Sequence, residues 1–277
     1  MKVGIVGLGL IGGSFAKAYA EEGVEVLACE QDDSILAFAE LSGAVHGRLT
    51  QENIGECDLV LICIYPAAAL DFMGRMGPYI GKKPVVLDCC GTKRAIVAPG
   101  QELAKRFGFT YVGGHPMAGT QYSGFKHACA NLYQGAPMVL VPPSFDDVEL
   151  LDKIKRLLAP AGFGKYSVTT AEEHDRVIAF TSQLAHVVSN AYVKSPTAEA
   201  HQGFSAGSYK DMTRVAWLNP EMWAELFLDN ADHLTEEIDG LIQRLGEYKK
   251  AILAGDRDTL VRLLDEGRRR KEGIDKK

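Results

Sequence analysis

The sequence predicts an α/β protein in which an N-terminal doubly wound sheet is followed by an all-α C-terminal domain. Three observations predict it. Short continuous apolar runs alternate with helical patterns through the first half, as expected of parallel strands covered on both faces. A glycine-rich loop joins the first run to the first helical pattern. After "GKYSVTT" the β patterning stops and only helical periods remain. The boundary is expected near residue 168, dividing the chain into 1–168 and 169–277.

Each element follows from its own residues. Lys2 to Val6 is the first strand, and a helical pattern then runs to Gly23. "VEVLACE" (Val24 to Glu30) is the second strand, with a helix near Asp33 to Ser42. "DLVLICIYP" (Asp58 to Pro66) and "PVVLDCC" (Pro84 to Cys90) are two more, each followed by a helix. "FTYVGGH" and "APMVLVPP" (Ala136 to Pro143) complete a sheet expected to be parallel. In the second half, Thr170 and Glu173 read as a capping box opening a helix that runs to about Lys194. A second long helix is expected from Pro220 to Leu245, because Met222, Trp223, Leu226, Phe227, Leu234, Ile238, Leu241 and Leu245 recur at three- and four-residue steps. The last helix spans about Arg257 to Lys271. Its "RRRK" reads as a solvated helix end, where cations suit the dipole, rather than as a nucleic-acid patch.

Composition narrows the function. The chain has 277 residues, 47% hydrophobic and 24% charged, enough for a packed core. Its net charge of -6 and lack of a basic block argue against non-specific nucleic-acid binding and an anionic membrane surface. The glycines of "MKVGIVGLGLIGG" would break the apolar helix that a signal peptide needs, and no run is long enough to span a bilayer. Six cysteines (Cys29, Cys57, Cys63, Cys89, Cys90 and Cys129) show no zinc spacing, so no metal is expected, and they fit a reducing cytoplasm.

"GLGLIGGS" contains Gly7-Leu8-Gly9-Leu10-Ile11-Gly12, a G-x-G-x-x-G that follows a strand and opens a helix. Gly7 permits the tight turn, Gly9 lets the backbone approach a pyrophosphate, and Gly12 lets helix and strand pack closely. Glu30 ends the second strand, 23 residues after Gly7. Its carboxylate can accept from both ribose hydroxyls and would repel a 2′-phosphate, which favours NAD over NADP. Pro66, closing the third run at another strand end, joins this cofactor set. The N-terminal domain is therefore expected to be a Rossmann-type dinucleotide site.

"GGHPMAGTQYSG" (Gly113 to Gly124) places His115 where a strand ends at the cofactor side of the sheet. A neutral histidine there can take a proton from an alcohol whose carbon gives up hydride. It can equally be held by a turn carbonyl, and spacing alone leaves both readings open. His186 in "TSQLAH" reads by itself as a buried structural histidine. Arg214 in "DMTRVAW" is expected to pair with a protein or a substrate carboxylate. Thr92, just after "LDCCG", stands at a strand end within reach of cofactor or substrate.

Taken in order, "GLGLIGGS", "HPMAG", "TSQLAH" and "DMTRVA…NPEMW" resemble the prephenate/arogenate dehydrogenase family of tyrosine biosynthesis over nearly the whole chain. The resemblance implies a Rossmann domain followed by a helical domain that dimerises, with the active site between them. It implies that His115 accepts the proton of the substrate's ring hydroxyl, that His186 binds substrate, and that Arg214 is a carboxylate partner or part of an ion-pair network. The implied reaction is NAD-dependent oxidative decarboxylation of prephenate to 4-hydroxyphenylpyruvate. The alternatives are arogenate oxidation giving tyrosine directly, or a dehydrogenase of the β-hydroxyacid type. The last would want a catalytic lysine on the helix after residue 171, where no lysine occurs before Lys194. A non-catalytic NAD sensor could lose His115 and Arg214, and both are present.

The chain also departs from the family pattern. In Asp88-Cys89-Cys90-Gly91-Thr92-Lys93, Gly91 stands where the family has a serine that orients the histidine, leaving Thr92 or a water for that task. Gln121 stands where a glutamate is usual, a slight argument for prephenate, and Ala185 where proline is usual. The chain stops at Lys277, so no ACT or chorismate mutase domain is expected.

Overall fold

The computed structural model describes residues 1–120 and 122–276. One sheet of eight strands runs through the first half, in the order β3-β2-β1-β4-β5-β6-β7-β8. The strands are β1 (Lys2–Val6), β2 (Glu25–Cys29), β3 (Gly47–Arg48), β4 (Leu59–Ile62), β5 (Val85–Asp88), β6 (Thr110–Pro116), β7 (Pro137–Val141) and β8 (Lys165–Val168). The helices α1 (Leu10–Glu21), α2 (Asp33–Leu41), α3 (Pro66–Ile80), α4 (Arg94–Phe107) and α5 (Val148–Leu157) alternate with them.

From β3 to β6 every pairing is parallel. The central strands β4 (LVLI) and β5 (VVLD) are buried along their whole length, because helices cover both faces. Two hydrophobic clusters result, one on each face: Phe15, Tyr19 and Tyr133 anchor the first, and Phe72, Met73 and Ile80 the second. The chain order reverses between β1 and β4, so a crevice opens there at the carboxyl ends of the strands.

The expectation of a parallel sheet fails at one place. β7 runs antiparallel to β6, with His115 opposite Val139. The connection between them carries only a short 3₁₀ turn at Phe125–His127. Without a crossover helix, the returning strand can pair only antiparallel. β6 runs through His115 and ends one residue later at Pro116, with Gly113 and Gly114 inside the strand. They let it lie close, because a Cβ on Gly114 would come within 2.5 Å of the Asp88 carbonyl oxygen and one on Gly113 within 2.6 Å of Val97.

The second half is helical: α6 (Ala171–Ile178), α7 (Ala185–Tyr192), α8 (Gly207–Thr213), α9 (Pro220–Asp229), α10 (Ala231–Ala254) and α11 (Arg257–Asp275). A π-helical segment, Ala179–Leu184, joins α6 to α7 into one helical path. Only half of the expected capping box forms. Thr170 accepts from the Glu173 N–H at 3.1 Å, but the Glu173 carboxylate turns away to Arg176. The helix expected from Pro220 to Leu245 is broken at Asn230. That residue is fully buried, and its side chain donates to the Asp175 carbonyl and to Gln183 and accepts from Arg94. Apolar periodicity continues across the break, so it could not reveal it. The "RRRK" arginines are tied along α11 to Asp265, Glu266 and Glu272, a solvated helix face.

Candidate active site

The glycine loop lies at the switch point, and its geometry matches the task of holding a dinucleotide. Gly7 has φ +87°, a conformation that favours glycine. A Cβ on Gly12 would lie 1.9 Å from the Gly7 carbonyl oxygen, so only glycine lets α1 approach β1. Gly9 caps α1 with no side chain, and a Cβ there would meet nothing within 4 Å. The space beside Gly9 is thus open at the N-terminus of α1, the end of a helix that favours an anion. Leu10 and Ile11 form that first turn, and Ile11 packs against the core beneath.

Glu30 is pinned just beyond β2. Oε2 accepts from the Leu8 N–H at 2.7 Å, and Oε1 accepts from the Gln31 and Asp32 N–H groups at 2.7 and 3.1 Å. Backbone donors therefore fix the carboxylate beside the glycine loop. Pro66 is the buried first residue of α3, at the end of the loop after β4. These residues follow β1, β2 and β4 at one end of the sheet and put a helix N-terminus and a carboxylate side by side, the division that suits a nicotinamide adenine dinucleotide.

His115 sits on β6, facing the junction between the sheet and the helices. Its Nδ1 lies 2.9 Å from Nε2 of His174, and Nδ1 of His174 lies 2.6 Å from Oδ1 of Asp175. Oδ1 of Asp175 also accepts from the Lys93 N–H at 2.7 Å, and Oδ2 from the Arg94 N–H at 2.8 Å. One carboxylate thus caps the start of α4 and ends the histidine chain. Burial, then the charges of His174 and Lys93, hold the His115 pKa well below the usual histidine range. Burial also lowers that of His174, against the pull of Asp175. Burial works against ionised Asp175, yet hydrogen bonds from His174, Arg94 and Lys93 keep its pKa below the usual value.

Under this chain lies a buried ion pair. Asp88 accepts from the Lys93 ammonium, the Tyr111 hydroxyl at 2.8 Å and the N–H groups of Cys90 and Gly114. Lys93 also donates to the Gly114 carbonyl at 2.6 Å. Every partner is satisfied, as two charges with no exposure require. The pair fixes the strand end that carries His115.

Thr92 departs from its expected task. It is fully buried, and its hydroxyl donates to Oδ2 of Asp229 at 3.3 Å, at the end of α9, rather than to His115. Burial raises the Asp229 pKa. The orienting place beside His115 is taken by His174. Leu226 occupies the space next to Gly91, 3.1 Å from where a Cβ would stand. A serine there would have to displace it.

His186 follows the π-helical segment. Its Nδ1 lies 2.9 Å from the Ser182 carbonyl, so Nδ1–H donates and Nε2 is left free. The ring stacks on Trp223 with centroids 3.8 Å apart. Burial lowers the His186 pKa, the hydrogen bond to Ser182 pulls the other way, and the Arg214 charge adds to the lowering. Arg214 lies in a short 3₁₀ turn and is exposed, and among the described residues no ion pair involves it. Gln121 falls outside the described residues. His174 and Asp175 were missed in the sequence because "AEEHD" reads as helix capping. The available signal was a histidine and an aspartate on the same buried face as Ile178.

A glycine loop after β1, a histidine held neutral at the end of β6 on the same end of the sheet, and a helical half that reaches that histidine define a nucleotide-dependent dehydrogenase. Comparison with known proteins gives the family. Residues 15–165 match the family model described as prephenate dehydrogenase, nucleotide-binding domain, and residues 170–266 match prephenate dehydrogenase, dimerization domain. The chain belongs to the prephenate dehydrogenase family. It is 31% identical to the cyclohexadienyl dehydrogenase of Zymomonas mobilis, over 94% of this chain and 91% of that one. The crystal structure of prephenate dehydrogenase from Aquifex aeolicus, in complex with hydroxyphenyl propionate and NAD+, superposes with a TM-score of 0.83 at 27% identity, covering 99% and 98% of the two chains. Synechocystis arogenate dehydrogenase superposes with 0.81 at 26% identity, covering 99% and 100%.

Proposed function

We propose that the chain catalyses NAD-dependent oxidative decarboxylation of prephenate to 4-hydroxyphenylpyruvate, a step of tyrosine biosynthesis. The observation that carries this reading is His115, held neutral at the end of β6, the same end of the sheet at which the glycine loop follows β1. NAD+ when bound supplies the hydride acceptor for the ring carbon that bears the hydroxyl. Gly7, Leu8, Gly9, Leu10, Ile11 and Gly12 hold its pyrophosphate end, with Pro66 at the crevice wall, and Glu30 receives the ribose. His115 accepts the hydroxyl proton at Nε2, since Nδ1 is engaged. Loss of the ring carboxylate as CO2 then follows from aromatisation of the substrate. His186, through Nε2, and Arg214 bind its polar groups, an arrangement supported by the free Nε2 and by the Arg214 charge that bears on His186. Thr92 acts by tying the loop after β5 to Asp229.

We also propose a homodimer formed through the helical half, with the domains meeting near residue 168. The matched dimerization model and the end of β8 at Val168 support this. The six free thiols favour a reducing cytoplasm.

Arogenate is the second reading, because the relatives include enzymes named for both substrates. NADH formation with prephenate and with arogenate at matched concentrations decides between them. A strong rate with prephenate alone is the expected result, and no rate with either substrate would overturn the proposal.

A further inference from the structure

We propose that His174 and Asp175 are positioning residues that set the tautomer of His115, taking the place of the hydroxyl absent at position 91. The inference rests on the reading of His115 as the base and adds how that base is prepared.

The argument starts from Asp175. Its pKa is held down, so it is a carboxylate, and a carboxylate only accepts hydrogen bonds. At 2.6 Å its partner, Nδ1 of His174, must carry the proton. A neutral His174 protonated at Nδ1 has a lone pair at Nε2. That lone pair faces Nδ1 of His115 at 2.9 Å, which must then be N–H. The remaining lone pair of His115 falls on Nε2, the nitrogen that faces away from the dyad. One ionised carboxylate thus dictates two tautomers in series and leaves one basic atom. When His115 takes a proton, its Nδ1–H still donates to His174, and the nearby negative charge of Asp175 stabilises the cation that forms.

The geometry is well fixed. His174 is 3% exposed and Asp175 fully buried. Asp175 is held by the first N–H groups of α4, and its own carbonyl accepts from Asn230. Because α6 lies beyond the sheet, the dyad forms only when the helical half is docked on it. The charged groups around the pair are Lys93 and Asp88 below, Arg94 and Glu172 beside Asp175, and Asp229 at the end of α9. Neutral His174 passes the orientation set by Asp175 to His115 through two distinct ring nitrogens, whereas a rotating hydroxyl would leave the direction of the hydrogen bond open.

Asp175 also caps α4, so His174 is the residue to vary. In the full-length wild-type protein without ligands, ¹⁵N–¹H NMR of the imidazoles should show Nδ1–H on both His115 and His174 at neutral pH. His174→Phe should lower kcat on the order of 10²-fold, with KM for prephenate and NAD+ affinity within about threefold. The acid limb of kcat/KM should shift, because His174 both accepts from the imidazolium and bears on its charge. His174→Gln, whose amide oxygen can accept from His115, should recover at least about tenfold of the lost kcat. An Nε2–H tautomer on His115, or an unchanged kcat and acid limb in His174→Phe, would overturn the proposal. The two readings fail differently. Full activity in His115→Asn removes the base itself, whereas an inactive His115→Asn beside an unaffected His174→Phe removes only the dyad.

Discussion

The sheet half and the helical half bury their residues very differently. β4 and β5 are buried at every position. By contrast α9 buries none of its ten residues, α10 buries only Leu234 and Ala251 of twenty-four, and α11 only Leu263 of nineteen. Leu228 and Leu253 are both 77% exposed. The sheet half completes its own core. The helical half does not, which is why the proposed second copy belongs there. Polar groups divide in a third way. Thr92, Lys93, His174, Asp175, Gln183 and Asn230 are all buried and lie along the seam between the halves. Buried polar groups need partners, and here those partners align a histidine. The proposed cofactor residues therefore lie within one half, and the proposed base is held by both.

Breaking the seam at its reactive end should have the largest effect. His115→Asn is smaller but keeps a hydrogen-bonding group near the Nδ1 position, and it removes the basic atom. It should lower kcat on the order of 10³-fold. NAD+ affinity, followed by fluorescence titration, should stay within about twofold, because the crevice lies in the sheet half. A parallel loss of NAD+ binding would mean that the two sites are not separable.

The contrast in burial can be tested next. Leu253→Glu places a charge on the unfinished helical face and should raise the dimer dissociation constant by about 10²-fold, seen as a shift to monomer in sedimentation velocity. Leu41→Glu is the matched control, since Leu41 is 86% exposed but lies on the finished half, and the dimer should be unaffected. An equal response from both would dissolve the distinction between the halves.

Within the sheet half, two glycines separate folding from binding. Gly9→Ala has open space for its methyl and should leave Tm unchanged while weakening NAD+ about tenfold, because the methyl enters the pyrophosphate approach. Gly12→Ala has a carbonyl in its way at 1.9 Å and should cost about 1–3 kcal/mol of stability.

The same division explains what could be read in advance. The strands, the glycine loop, Glu30 and His115 follow from local patterns, since apolar runs and a strand-loop-helix fingerprint are properties of contiguous residues. The seam does not. That Thr92 serves Asp229, that Asn230 breaks a helix, and that His174 reaches His115 all depend on residues more than fifty positions apart. The antiparallel turn of β7 is intermediate. Its strand pattern was visible, and its direction depended on a connection that lacked a helix.

The smallest expected effect is a pH dependence of stability that also originates at the seam. His115, His174 and His186 all have pKa values lowered by burial, so the unfolded chain binds protons more readily than the folded one. Their contribution is complete above the unfolded histidine value of about 6.5 and is lost as pH falls below it toward the folded values. Asp175 and Asp232 have lowered carboxylate values, and their contribution is lost only below about pH 4. Calorimetric scans should therefore show Tm falling in two stages, the first beginning near pH 6.5. In His174→Phe the first stage should shrink, because one of its three groups is gone and only His115 and His186 remain, while the carboxylate stage persists. Wild-type Tm that stays flat from pH 7 to 5 would mean that the histidines take up protons without disturbing the seam, and the buried chain of tautomers could not then be what holds His115 in place.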